Sequence, residues 1–208
     1  MNSAKINVYS SLSGCYFLPD ENLKYLTDQL LHSFSMWIPE AIEPVECMLN
    51  DLSDDFMELK RDYSRLFLGP FEVLAPPCGS VYLNPGKKTL MDESTFQVEQ
   101  IYRQAGLEAN DSNNPADHIT AELEFMHYLY YQEQSALNSG NEAQADLFKQ
   151  YRQSFFNQHL GEWGFEFAGK VEQYAQKDFY RNLGLVTGIV LSAEAEYFST
   201  AELRKFKA

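Results

Sequence analysis

No proline follows Pro115, so the last 93 residues of this 208-residue chain lack the one residue that stops a helix on steric grounds. No apolar run reaches the length of a membrane span. Cysteine is scarce: Cys15, Cys47 and Cys78 are an odd number with no Cys-x-x-Cys spacing, which removes the usual redox and zinc motifs and fits a reducing compartment. Positive charge is short as well, with 16 Lys and Arg against 30 Asp and Glu, a net charge of −14. Phosphate backbones need clustered Lys and Arg, so nucleic acid is excluded as a partner and a basic partner is favoured. The start, Met1 to Ile6, lacks a basic region leading into an apolar stretch and a cleavage site; no secretion signal is read, and the expected location is the cytoplasm.

What is present is a globular composition, 45% hydrophobic and 14% aromatic, long enough for one domain with a substantial core. Helical patterns cover most of it. Asn114-Pro115 reads as N-cap and first helical position, with Ile119, Leu123, Met126 and Tyr130 on one face and an end near Gly140. Ser94 with Gln97 and Asn141 with Gln144 read as capping boxes for helices reaching Gly106 and about His159, where Gly161 is expected to end the second. Two more helices are expected over about 162–175 and 178–198, the last weakened by Gly184 and Gly188. Residues 4–18, 21–34 and 53–68 read as helices too, with Ser53, Asp54 and Asp55 at a favourable start. The fold class is all-α, a helical bundle with an N-terminal part over about 1–68, a connector over about 69–92 and a C-terminal part over about 93–208.

The connector is the least ordinary segment. Half of the eight prolines stand at 70, 76, 77 and 85, and glycines at 69, 79 and 86 punctuate the same stretch. Its only strand-like runs are 71–74 and 80–83. Cys78 lies between Pro77 and Gly79 with no cation near to lower its pKa, so a packing role is expected. Pro85-Gly86-Lys87-Lys88-Thr89 is not a phosphate loop, because Val81 stands where the first glycine belongs and Lys88 where Ser or Thr should follow the lysine. Nine carboxylates against three basic side chains lie between Glu40 and Glu72, a solvated acidic face.

Catalytic readings are tested by spacing. Glu124-x-x-His127 matches half of a di-iron bundle motif, but no second unit exists, so no metal site is read. Asp117-His118 with Glu122 one turn on would suit acid/base or metal-assisted hydrolysis in a helical enzyme, and equally a dipole-stabilised carboxylate beside a histidine paired with Glu122.

Three blocks then occur in order. They are Glu58 to Pro70 running into Pro76-Pro77-Cys78-Gly79-Ser80-Val81-Tyr82-Leu83; Pro115-Ala116-Asp117-His118 leading into Glu122 to Met126; and His159-Leu160-Gly161-Glu162-Trp163 with Phe167 and Val171. This pattern resembles the TorD/DmsD family of redox enzyme maturation chaperones, and the Pro-Pro-x-Gly-Ser-Val-Tyr-Leu form is similar to the DmsD side. The resemblance implies an all-helical chaperone, not an enzyme, with no cofactor. It implies a partner, the twin-arginine signal peptide of a molybdopterin-dependent oxidoreductase subunit, bound until that subunit has its cofactor. The signal-peptide surface it implies comprises Tyr63, Leu66, Phe67, Phe71, Pro77, Cys78, Pro115, Asp117 and His118, with Tyr16 on the first helix. Tryptophan is usual in that family where Tyr63 and Cys78 stand. A monomer or a dimer exchanging halves across the connector is expected.

Overall fold

The computed structural model describes residues 2–53, 56–69, 72–83, 93–107 and 114–205. Ten α-helices lie among them: α1 Asn2–Cys15, α2 Asn22–Trp37, α3 Ile42–Asp51, α4 Met57–Tyr63, α5 Ser80–Leu83, α6 Glu93–Gln104, α7 Ile119–Asn138, α8 Glu142–Phe155, α9 Gly161–Tyr174 and α10 Asp178–Lys205. The described residues form no named strand; a single isolated bridge pairs Cys78 with His118. None of the described helices is long and apolar enough to cross a membrane. The fold is all-α, as the patterning indicates.

Local chemistry accounts for the clearest boundaries. The Asn141 side chain accepts the Gln144 backbone N–H at 3.2 Å and starts α8. Just before it, Gly140 takes φ +74° to end α7, a conformation other residues adopt at a cost. On α7, Ile119, Leu123, Met126 and Tyr130 are all buried, the stripe expected at 3.6 residues per turn.

Five local readings need correction. Helix α7 starts at Ile119 rather than Pro115, with His118 as its cap, because residues 114–118 are drawn aside to pair with the connector. Gly161 does not end a helix. The chain passes from α8 through a π-turn over Phe156–Leu160 straight into α9, and a Cβ on Gly161 would lie 2.7 Å from the Phe156 carbonyl oxygen that the π-turn brings close. Gly184 and Gly188 do not break α10; Gly184 lets it approach α9, since a Cβ there would sit 2.6 Å from the Glu172 backbone nitrogen. Residues 80–83 form one helical turn rather than a strand. Residues 42–51, unmarked by the pattern, form α3, with Pro44 in the first turn where no N–H is required. Asp54, Asp55, Pro70, Phe71 and residues 85–89 lie outside the described residues.

Helix α1 packs between α2 and α7, α7 against α8, and α9 against α10, while α10 also covers α3 and touches α4. One continuous cluster of buried side chains therefore draws on both sides of the connector. Tyr9 stacks on Tyr130 with centroids 5.6 Å apart, and Phe67 meets Phe167 and Tyr180 at 6.2 and 5.7 Å.

Candidate functional site

Two short segments converge on the start of α7. The Gly79 N–H donates to the Asp117 carbonyl at 2.9 Å and the Ile119 N–H donates to the Pro77 carbonyl at 2.8 Å, so the connector and residues 117–119 pair backbone to backbone. Asp117 adds its side chain. One carboxylate oxygen accepts the Ser80 N–H at 2.8 Å, capping α5, and the other accepts the Thr95 hydroxyl of α6 at 2.9 Å. Asp117 is 1% exposed, and both its oxygens are engaged inside the chain.

Beneath this junction lies Trp163 of α9. Tyr82 stacks on its ring at 5.4 Å, and a Cβ on Gly79 would stand 2.8 Å from its indole nitrogen, so the connector crosses the ring where only glycine fits. The indole N–H donates to one oxygen of Glu122 at 3.1 Å. The other Glu122 oxygen has no hydrogen-bond partner. His118 does not pair with Glu122: its Nδ1 accepts the Thr120 N–H at 3.3 Å and meets the Thr120 hydroxyl at 2.8 Å.

The side chains suggested by the sequence divide by exposure. Tyr16, Leu66, Phe67, Cys78 and Asp117 are buried, whereas Tyr63, Pro77, Pro115 and His118 are partly exposed; Phe71 is outside the described residues. The Tyr16 hydroxyl pairs with that of Thr187 at 2.8 Å, and its ring packs on Phe67 and Phe167. Tyr63 lies edge-on to Phe67 at 5.1 Å. Asp117 and His118 are thus the connector's pairing partners.

Sequence reasoning missed two supports. Asp62 is 3% exposed and accepts the N–H groups of Gln176 and Lys177 at 2.9 and 2.8 Å, tying α4 to the turn between α9 and α10. Trp163 holds Glu122 from a helix 41 residues away. The signal for Asp62 was Arg65 at i+3, which pairs with it at 2.7 Å.

The electrostatics do not favour catalysis. Burial, with Asp117 and Glu122 adding to it, pushes the Cys78 thiol up to about 12, far from a nucleophile's range. Burial lowers His118 to about 4 against the pull of Asp117. No group of three or more His, Cys, Asp or Glu among the described residues could hold a metal ion.

Glu122 is held well above the usual carboxylate range, chiefly by burial, so the folded protein keeps it neutral. Its unfolded counterpart ionises above about pH 4.5, so the stability linked to this group is present below that pH and lost as pH rises toward the folded value. Glu122→Gln stays neutral throughout. Its melting temperature is expected to gain on the wild type as pH rises above about 5 in thermal scans; a constant difference would show that Glu122 titrates alike in both states.

Residues 23–169 match the family model described as the nitrate reductase delta subunit. The chaperone protein TorD of Shewanella sp. is 29% identical over 202 residues, covering 90% of this chain and 90% of that protein. TorD of Vibrio cholerae is 31% identical over 189 residues, covering 84% and 82%. The Tat proofreading chaperone DmsD of Salmonella typhimurium is 28% identical over 154 residues, covering 74% and 67%. Among solved structures, a redox enzyme maturation protein from Archaeoglobus fulgidus has the same fold, with a TM-score of 0.56 at 18% identity over 91% of this chain and 93% of that one.

Proposed function

Because the chain belongs to the nitrate reductase delta subunit family, which takes in the TorD and DmsD chaperones, we propose that it is a redox enzyme maturation chaperone. In this reading it acts in the cytoplasm, binds the twin-arginine signal peptide of a molybdoenzyme subunit, and holds that subunit until its cofactor is inserted. The observation that carries the reading is likeness to TorD over 90% of the chain, on an all-helical fold. Chaperoning needs no turnover, and none is assigned.

The recognition surface is the connector face. Tyr63, Pro77, Pro115 and His118 offer partly exposed apolar rings and an imidazole to a ligand, and Leu68, Glu72 and Val81 are exposed beside them in sequence. Tyr16, Leu66, Phe67 and Cys78 back that surface from within. Asp117 fixes its shape, since both its oxygens are committed, which leaves arginine selection to exposed carboxylates such as Glu72. Burying roughly 400 Å² of apolar area at about 25 cal/mol per Å² yields on the order of 10 kcal/mol gross. About 3–4 of those are lost to ordering a flexible peptide, which leaves about −6 to −7 kcal/mol, a Kd on the order of tens of micromolar. Exposed arginine pairs add only about 0–1 kcal/mol each, so they select more than they hold.

Titration calorimetry with a synthetic twin-arginine signal peptide tests this. Tyr63→Ala combined with His118→Ala is expected to weaken binding about tenfold or more, near 1.4 kcal/mol, with a melting transition lowered by the lost α7 cap and ring contact but a protein still folded at the titration temperature. A pull-down from the native cytoplasm should bring down a redox enzyme subunit; no peptide binding and no such subunit would overturn the reading.

A further inference from the structure

A groove of about 1080 Å³ lies away from the connector, along the line where α9 and α10 meet, closed at one side by the end of α2. Phe165 and Leu185 are exposed in it at 41% and 38%. Gly169 and Gly188 also line it, and a Cβ added to either would meet no atom within 4 Å. Nothing inside the protein accounts for these two glycines, unlike Gly184, which α9 crowds. Glycine is the least favourable helix-interior residue after proline, so what the two provide is room for a visiting backbone.

The charges choose the visitor. Glu40, Glu172 and Glu196 stand exposed around the groove. Of the lysines that line it, Lys5 is buried, bonded to the Tyr130 hydroxyl and packed over the Trp37 and Tyr197 rings, which leaves Lys149 as the one cation near the surface. An apolar floor with an acidic rim fits an apolar segment bearing Lys or Arg. Along α10 the groove runs from Gly184 to Thr200, about 24 Å at 1.5 Å per residue, the length of a four-turn helix. A helix of that length laid along the groove would meet it over its whole run.

We infer that this groove is a docking surface for an amphipathic helix carrying arginine or lysine at its ends, separate from the connector face. The chemistry of the occupant follows from the groove; that the helix belongs to a client rests on the chaperone reading. The probe is a labelled 16-residue Leu/Ala helical peptide with arginines at both ends, and its counterpart with glutamates, followed by fluorescence anisotropy. The arginine peptide is expected to bind at micromolar concentration and the glutamate peptide at least tenfold more weakly. Gly188→Leu should reduce arginine-peptide affinity at least tenfold while leaving the calorimetric titration with a twin-arginine signal peptide unchanged, with an unfolding transition at or slightly above that of the wild type, since a glycine leaves a helix interior. If that variant misfolds, Gly169→Leu gives the same reading from α9.

Any one of four results overturns the inference: no binding or equal binding of the two peptides; unchanged affinity in the folded glycine variants; a wild-type dimer dissolved by Gly188→Leu, which makes a second copy the occupant; or loss of signal-peptide binding in Gly188→Leu, which makes the groove the leader's own seat. Failure of the signal peptide to bind the wild type would instead sink the chaperone reading and leave the anisotropy result standing.

Discussion

Replacing Glu194 by leucine is expected to cost the fold about 3–5 kcal/mol, because it leaves two buried cations with the single carboxylate of Glu133 between them. Glu194 is fully buried on α10, and the Tyr130 hydroxyl of α7 donates to both its oxygens at 2.7 Å. Arg152 of α8, 1% exposed, pairs with it and with Glu133, the latter at 2.9 Å, and stacks over the Tyr130 ring at 3.8 Å. Lys5 of α1 lies 3.7 Å away, and burial lowers its pKa despite the pull of Glu194. Two acids and two bases from four helices thus balance, and removing one carboxylate strands positive charge where solvent cannot reach. Urea unfolding should show the loss; at about 2–4 °C per kcal/mol the melting temperature would fall by roughly 6–20 °C. A double variant, Arg152→Met with Glu194→Leu, should recover part of it, since the orphaned charge goes too. A Glu194→Leu protein within 1 kcal/mol of wild type would show that the cluster relaxes to water.

Asp117→Ala is expected to cost about 2–4 kcal/mol, since it leaves two buried donors, the Ser80 N–H and the Thr95 hydroxyl, without an acceptor. Ser80 and Thr95 are 1% and 3% exposed, so water does not replace the carboxylate without local opening. The loss should be regional. Amides over 79–83 should exchange faster than those of α7 or α9, because the connector turn is released while the main bundle holds. Asp117→Asn, which keeps one acceptor, should fall between. Unchanged protection over 79–83 in Asp117→Ala would mean that backbone pairing with residues 117–119 suffices to hold the turn. The expected effect on a bound peptide is indirect: affinity drops because the surface loses its shape.

The helices were legible wherever local chemistry set them. Asn141 with Gln144 and the stripe on α7 needed no tertiary information. Helix α3 went unmarked; Pro44 lies in its first turn, where the missing N–H costs nothing. Residues 114–118 misled: the cap read at Asn114 falls to His118, and Asp117 answers Ser80 and Thr95, 37 and 22 residues away. No local pattern encodes such pairings, so the sequence named Asp117 and His118 without revealing that they join the connector. The ion cluster did leave a trace. Arg152 shares a 3–4 register with the buried Ala145, Phe148 and Phe155, Glu133 follows Met126 and Tyr130, and Glu194 follows Val190. A charge standing in an apolar register is the signal that pattern reading passes over.

The reach of α10 across α3, α4 and α9 sets a schedule for synthesis. Its residues from Phe179 to Phe198 fill the core from both sides of the connector, so α3 has no lid when it leaves the ribosome. At roughly 5–20 residues per second, about 7–30 s separate the appearance of α3 from that of Phe198. For that interval the nascent chain carries uncovered apolar faces of its own, and a protein that we propose shelters another chain must first wait, unsheltered, for its own last turns.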